Sequence, residues 1–152
     1  MNLSPTAAFE LSDRSLGGAG VDLSRLVLEL TETDAVDSYH AFRSRLAPLR
    51  ERGLRLAIDD AGAGHASLGS VVELRPEIIK IDKSLIGGVA ADHSRPSAVR
   101  AFVSVAQDLD AVTVAEGIET IADLNTVRDL GNTCAQGYLP GRPNTDPDNL
   151  AG

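Results

Sequence analysis

An apolar run that ends on two carboxylates decides how this chain folds: Leu54-Arg55-Leu56-Ala57-Ile58-Asp59-Asp60. A strand that is buried on both faces has an almost continuous apolar sequence, so charged residues at its end are costly unless they lie at a solvated, functional rim. Three further stretches end in the same way, and they are Leu26-Val27-Leu28-Glu29, Ile78-Ile79-Lys80-Ile81-Asp82 and Val112-Thr113-Val114-Ala115-Glu116. The pattern predicts parallel strands that gather charged groups at one mouth of a β/α barrel.

Side chains alternate between the two faces of a strand, which places one charged residue of each strand on a common face. With this alternation Glu29, Asp59, Lys80 and Glu116 point inward, while their apolar neighbours face the helices. Carboxylate oxygens are preferred ligands of Mg²⁺ and similar ions. Three carboxylates that converge with one ammonium group therefore indicate a divalent-cation site with an associated lysine.

Helical patterns separate these strands. Apolar residues recur at helical spacing in four segments, residues 36–49, 68–74, 99–109 and 121–130. We expect Ser97 to cap the third of these helices and Thr120 to cap the fourth, with Asp123 in its capping box. Together with a first strand at residues 1–3 and a last strand at residues 133–139, the chain has about six strands that alternate with helices.

This alternation predicts an α/β protein built as a TIM-like (β/α)8 barrel, of which about six of the eight units are present. An eight-stranded barrel normally needs about 200 to 250 residues. The chain has 152 residues and 43% hydrophobic content, which suffices for one substantial core. We therefore expect either that residues precede this stretch or that another chain closes the sheet.

Composition excludes several classes of partner. The net charge of −8 and the isoelectric point near 4.7 argue against binding to DNA or RNA polymers or to an anionic membrane surface, because those partners require a basic face. No apolar run approaches the roughly 18 residues of a membrane span. The single cysteine, Cys134, is expected to be a buried strand thiol, and it allows no internal disulfide, which fits a cytoplasmic location. A negatively charged ligand would need a metal to bind this acidic chain.

Each of these motifs, taken alone, has a simpler interpretation. The pair Asp59-Asp60 is common where a strand leads into a turn. Lys80 in an apolar strand is compatible with an edge residue that extends its ammonium group to solvent, and Glu116-Gly117 fits a tight turn. The occurrence of all of them in one order favours the functional interpretation.

At these residues the sequence resembles the EAL domain, a bacterial family of cyclic di-GMP phosphodiesterases. The matching segments occur in the family's order and cover nearly the whole chain, and they are Asn2-Leu3-Ser4-Pro5, Leu28-Glu29-Leu30-Thr31-Glu32-Thr33, Ile58-Asp59-Asp60-Ala61-Gly62-Ala63-Gly64, Ile79-Lys80-Ile81-Asp82-Lys83-Ser84-Leu85, Val114-Ala115-Glu116-Gly117-Ile118-Glu119-Thr120 and Gln136-Gly137-Tyr138-Leu139-Pro140. The resemblance implies a (β/α)8 barrel that hydrolyses cyclic di-GMP to the linear dinucleotide pGpG with two Mg²⁺ or Mn²⁺ ions.

The resemblance also implies roles for individual residues. Metal ligands are implied at Asn2, Glu29, Asp59, Asp60 and Glu116. Lys80 would hold or deprotonate the attacking water, and Glu32 would anchor the loop after Asp60. Glu119 and Gln136 would complete the catalytic site.

One segment of the family pattern is missing from this chain. The Glu-Ala-Leu segment, which carries a further metal ligand, precedes the Asn-Leu-Ser segment in the family and is absent here. We therefore expect residues 1–143 to form an N-terminally truncated EAL domain, followed by a tail at residues 144–152. On this expectation the chain alone hydrolyses cyclic di-GMP at background rate.

Two alternatives to the phosphodiesterase remain open from the sequence. One is a non-catalytic cyclic di-GMP receptor or protein-interaction module, and the other is a structural fragment that depends on a partner for its missing strands. The resemblance also implies pairing of two copies through residues 86–99, which we expect to be mobile, or attachment to a sensory or cyclase domain.

Overall fold

A computed structural model describes residues 22–30, 38–64 and 67–139. The strand expected at residues 1–3, the candidate residues Asn2 and Glu32, and the tail at residues 144–152 lie outside these ranges. The strands are β1 (Val27–Leu30), β2 (Arg55–Ala61), β3 (Ile78–Ile81), β4 (Val112–Ala115) and β5 (Cys134–Ala135). The α-helices are α1 (Tyr39–Glu51), α2 (Leu68–Leu74), α3 (Lys83–Ile86), α4 (Arg95–Asp108) and α5 (Ile121–Asp129), and a 3-10 turn at Leu23–Arg25 precedes β1.

The five strands form one sheet in sequence order, and every neighbouring pair is parallel. One face of the sheet packs against the helices: Leu28, Ile58, Ile79 and Ala115 are between 0% and 3% exposed. These side chains belong to a single apolar core with residues of the helices. The predicted division of the strands into an inner, charged face and an outer, apolar face is therefore confirmed.

The register of the sheet climbs as it would in a closed barrel. Glu29 pairs with Ala57, which lies two positions before Asp59, and Lys80 pairs with Val114, which lies two positions before Glu116. From Glu29 to Asp59 the inward-facing residue therefore moves two positions along the strand relative to the β1–β2 register. From Lys80 to Glu116 it moves two more positions relative to the β3–β4 register. Asp59 lies opposite Lys80, so the step from β2 to β3 adds none, and the three steps from β1 to β4 add four residues in all. An eight-stranded barrel with a shear of 8 needs an average climb of about one residue per strand, which is close to this value. The described residues are an arc of a (β/α)8 barrel.

Helix α4 begins earlier than the sequence pattern predicted. It starts at Arg95, so the prediction that Ser97 caps it is wrong. The side chain of Asp92 accepts hydrogen bonds from the backbone N–H groups of Ser94, at 2.6 Å, and Arg95, at 2.9 Å. Pro96 lies in the first turn of the helix, where its missing N–H has no partner to lose.

The last strand is shorter than expected, because only Cys134–Ala135 pairs with β4 instead of residues 133–139. The segment that follows bonds to the loop after β4, where the N–H of Leu139 donates to the carbonyl of Ile118 at 3.1 Å. Gly137 lies so close to the backbone of Ile118 that a Cβ there would overlap it. Cys134 is exposed, which corrects the prediction of a buried thiol.

Among residues 22–30, 38–64 and 67–139, no helix has the length and apolar character that a membrane crossing requires.

Candidate functional site

Two consecutive carboxylates lie on the same face because β2 contains a bulge. Ile58 and Ala61 are three positions apart, yet they pair with residues of β3 that are two positions apart, so Asp59 and Asp60 lie opposite Lys80. Asp60 has a left-handed backbone with φ of 54°. In a regular strand the alternation of side chains would turn Asp60 toward the helices. The strand therefore continues through the pair, whereas the sequence had suggested that β2 ends on it.

The side chains of β2, β3 and β4 converge on one ammonium group. Lys80 Nζ lies 2.7 Å from Asp59 Oδ1 and 3.0 Å from Glu116 Oε1. The exposed fractions of the three side chains are 18% for Lys80, 13% for Asp59 and 18% for Glu116. Carboxylate oxygens of Asp59, Asp60 and Glu116 all lie within 4.8 Å of one another. We call Asp59, Asp60, Lys80 and Glu116 the carboxylate–lysine cluster.

The other described candidates lie near the rim of the arc. Glu29 is half-buried on the inner face of β1, beside β2, but it is not among the carboxylates whose oxygens lie within 4.8 Å of one another. Gln136 is held through its backbone, because its N–H donates to the carbonyl of Ala115 at 2.8 Å. Glu119 is exposed and directly precedes Thr120, the N-cap of α5.

Negative charge is in excess in the cluster. Burial raises the pKa of Asp60, and the charges of Asp59 and Asp82 raise it further. Burial also raises the pKa of Glu116, and the hydrogen bond from Lys80 opposes that rise only in part. Burial lowers the pKa of Lys80, but its hydrogen bonds to Asp59 and Glu116 outweigh this effect and raise the pKa above its ordinary value. Crowded carboxylates whose ionisation is penalised are a suitable environment for a divalent cation.

Asp82 is a site residue to which the sequence assigned no role. It is 8% exposed, and its charge and a side-chain hydrogen bond both contribute to the raised pKa of Asp60. Burial raises the pKa of Asp82 itself, but hydrogen bonds from Ser84 lower it below its ordinary value. Its side chain accepts from the N–H of Ser84 at 2.8 Å and so caps α3. An acidic residue directly between a strand and a helix is the sequence signal that identifies such a cap.

The pKa of Asp60 leads to a testable dependence of stability on pH. A group whose pKa is raised on folding contributes stability below its unfolded pKa, here 3.8, and loses it as the pH rises through the folded value. We expect Asp60→Asn to raise the melting temperature of the metal-free protein at pH 7 and to leave it nearly unchanged at about pH 3. Asparagine is a suitable replacement because it tolerates left-handed backbone.

Thermal unfolding of the wild type and of Asp60→Asn at a series of pH values tests this expectation. Asp129→Asn, on the exposed surface of α5, is the matched control for removal of one negative charge. A lower melting temperature for Asp60→Asn at pH 7 would contradict the expectation, because it would mean that the ionised carboxylate is stabilising in the absence of metal.

Comparison with models of protein families matches the chain to the EAL domain over residues 2–143. Among curated proteins, an uncharacterized protein of Mycobacterium tuberculosis, Rv1354c, is 35% identical over 129 residues, which are 85% of this chain and 21% of that protein. The bifunctional diguanylate cyclase/cyclic di-GMP phosphodiesterase MucR of Pseudomonas aeruginosa is 37% identical over 120 residues, which are 79% of this chain and 18% of that protein. The chain thus spans about a fifth of the length of these relatives.

A solved structure also resembles the chain. The manganese and cyclic di-GMP complex of Klebsiella pneumoniae BlrP1 at pH 9.0 superimposes with a TM-score of 0.79 at 32% sequence identity. The match covers 91% of this chain and 37% of that one.

Proposed function

Because the chain belongs to the EAL domain family, we propose that it forms the catalytic part of a cyclic di-GMP phosphodiesterase, which hydrolyses cyclic di-GMP to linear pGpG with two Mg²⁺ or Mn²⁺ ions. The observation that carries the proposal is the carboxylate–lysine cluster, in which three carboxylates from two strands meet one half-buried ammonium group. The related BlrP1 structure, described as a manganese and cyclic di-GMP complex, supports the choice of ligand and metal.

The residues of the cluster fit divalent cations. Asp59, Asp60 and Glu116 offer only oxygen ligands. The pKa values of Asp60 and Glu116 are raised first by burial and then by neighbouring carboxylates, and a cation would stabilise their ionised forms. The bulge places two adjacent carboxylates on one face, which allows them to serve two ions. Asn2 and Glu29 would add ligands. When bound, two such ions polarise a phosphodiester, stabilise its leaving oxygen and lower the pKa of water.

Lys80 would act on the proton and on the position of the attacking water. Its ammonium group is fixed between Asp59 and Glu116, so it would direct an N–H toward an oxygen that occupies the centre of the cluster. In the metal-free protein these carboxylates keep Lys80 protonated, as its raised pKa shows. Two dications in the same place would lower that pKa and favour proton transfer.

The remaining candidates have supporting roles in the proposal. Glu119 and Gln136 would complete the site at the rim, and Glu32 would anchor the loop after Asp60. A cytoplasmic location also belongs to the proposal, and the single free cysteine is compatible with the reducing conditions there.

The deciding experiment compares two forms of the protein. The first is the 152-residue chain, and the second, the restored domain, is this chain joined to the Glu-Ala-Leu segment of a family member. We expect the restored domain with Mn²⁺ to convert cyclic di-GMP to pGpG, EDTA to abolish the conversion, and the 152-residue chain to remain at background. Product formation is measured by chromatography.

Three outcomes would contradict parts of this proposal. A restored domain that binds cyclic di-GMP without hydrolysing it would identify a receptor instead of an enzyme. Hydrolysis that is indifferent to EDTA would exclude the proposed role of the metal. Robust turnover by the 152-residue chain alone would show that the Glu-Ala-Leu segment is not needed.

A further inference from the structure

The short helix α3 lies against the loops that follow β2 and β4, next to the carboxylates of the cluster. Gly62, in the loop after β2, lies so close to α3 that a Cβ there would overlap Leu85 Cδ1. Gly117, in the loop after β4, has φ of 71°, and a Cβ there would lie 2.5 Å from Lys83 Cβ. A shift of α3 would therefore change the contacts of both loops, of which one begins two residues after Asp60 and the other directly follows Glu116.

The turn after α3 is fixed to the start of α5 by a buried carboxylate. Asp123 is 4% exposed, and its Oδ1 accepts a hydrogen bond from the N–H of Ala90 at 3.0 Å. Its Oδ2 accepts from the hydroxyl of Thr120 at 2.7 Å, so one side chain bonds both to the turn and to the N-cap of α5. Within this turn Val89 is fully buried. The start of the segment that the sequence had suggested to be mobile is thus packed.

A second contact secures the same turn. The guanidinium of Arg95 donates a hydrogen bond to the carbonyl of Gly87. Because Arg95 belongs to α4, the turn is attached to two different helices, and the hydrogen bond to Asp123 links it to the helix that follows the Glu116 loop. The ring of contacts runs from α3 through the turn to Asp123 and Thr120, and back through the loop of Gly117 to α3.

We propose that Asp123 is a positioning residue for the carboxylate–lysine cluster. It holds the turn after α3 against the start of α5 and so keeps α3 in place. The position of α3 in turn fixes the two loops that determine the distance between Asp60 and Glu116. Asp123 itself does not touch substrate or metal in this proposal. The inference rests on the proposed function in that it treats the cluster as the metal site.

The test uses Mn²⁺ as the probe and the 152-residue chain as the protein. In Asp123→Ala the N–H of Ala90 loses its acceptor, so its hydrogen exchange should accelerate at least about tenfold. The dissociation constant for Mn²⁺ should rise by at least about threefold, in the lower range of coupling through packed elements. Asp123→Asn keeps an oxygen that can accept from Ala90, and it should restore both quantities to within about twofold of the wild type.

Two variants of the same helix serve as controls. Val127→Ala removes a side chain that is 1% exposed on α5 and destabilises the core, while it leaves both hydrogen bonds of the Asp123 side chain in place. Asp129→Asn removes an exposed charge from α5. Both control variants should bind Mn²⁺ as the wild type does. If Asp123 had only a structural role, Asp123→Ala would weaken Mn²⁺ binding no more than Val127→Ala does.

Several results would overturn the inference. One is an Mn²⁺ affinity of Asp123→Ala that equals that of Val127→Ala, and another is a failure of Asp123→Asn to restore it. Absence of Mn²⁺ binding by the wild type would overturn both this inference and the proposed metal. If the wild type binds Mn²⁺ but the restored domain does not hydrolyse cyclic di-GMP, the proposed function alone is overturned. The Mn²⁺ affinities of the Asp123 variants then still decide the role of Asp123.

Discussion

Asp59→Asn in the restored domain should lower the turnover of cyclic di-GMP by at least about 10²-fold, because the loss of a charge that we propose to hold metal would remove several kcal/mol of transition-state stabilisation. Asparagine has nearly the same shape, and its oxygen can still accept from the N–H of Asp60, which donates to Asp59 Oδ1 at 3.1 Å in the wild type. The fold should therefore survive the change. Steady-state kinetics at saturating Mn²⁺, together with the melting temperature, measure the two effects separately.

The control for this variant is Asp129→Asn, which removes a carboxylate from the exposed surface of α5 and should retain full activity. Asp59→Asn with activity within about threefold of the wild type would be incompatible with Asp59 as a metal ligand. A large loss of activity that accompanies a large fall in melting temperature would instead assign to Asp59 a role in folding.

Lys80→Met should have opposite effects on catalysis and on metal binding. The ammonium group of Lys80 bonds to Asp59 and Glu116, which are the same carboxylates that we propose as metal ligands, so it competes with a cation for them. Its removal should tighten Mn²⁺ binding. Turnover should nevertheless fall by about 10²-fold or more, the usual effect of losing a group that orients water or transfers its proton. Methionine retains most of the aliphatic stem.

Mn²⁺ titration of the protein and turnover at saturating Mn²⁺ check the two halves of this prediction. Arg100→Met, which removes an exposed positive charge from α4, should change neither quantity. Weaker Mn²⁺ binding by Lys80→Met would show that the ammonium group arranges the carboxylates for the metal, and would refute competition between them.

The strands and their inner face could be predicted because both depend on local regularities of the sequence. The apolar run of β2 and the alternation of Leu28 with Glu29 are visible without knowledge of any partner strand. The bulge at Asp59 and Asp60 was not predictable in this way, since a bulge is defined by the register with β3. The same holds for the turn after α3: the bond from Ala90 to Asp123 joins residues 33 positions apart.

Errors at the ends of elements have local causes. A cap at Ser97 would leave Pro96 outside the helix, although proline is favoured in the first turn of a helix, where it lies here. The last strand was expected to reach residue 139, but the backbone at Leu139 bonds to the loop at Ile118 instead of to β4. Exposed Cys134 follows from the shortness of β5.

The bulge in β2 makes the second carboxylate an insertion in an otherwise regular strand. Since Asp59 and Asp60 together occupy the space opposite Lys80, loss of one codon would leave Ala61 on the side of the sheet that it occupies now, fully buried against the helices. Such a deletion would remove one of the carboxylates that we propose as metal ligands and would retain the register of Ala61 with β3. In evolutionary terms, the two-ion centre that we propose and a one-ion or ligand-sensing relative would differ at this strand by a single deletion.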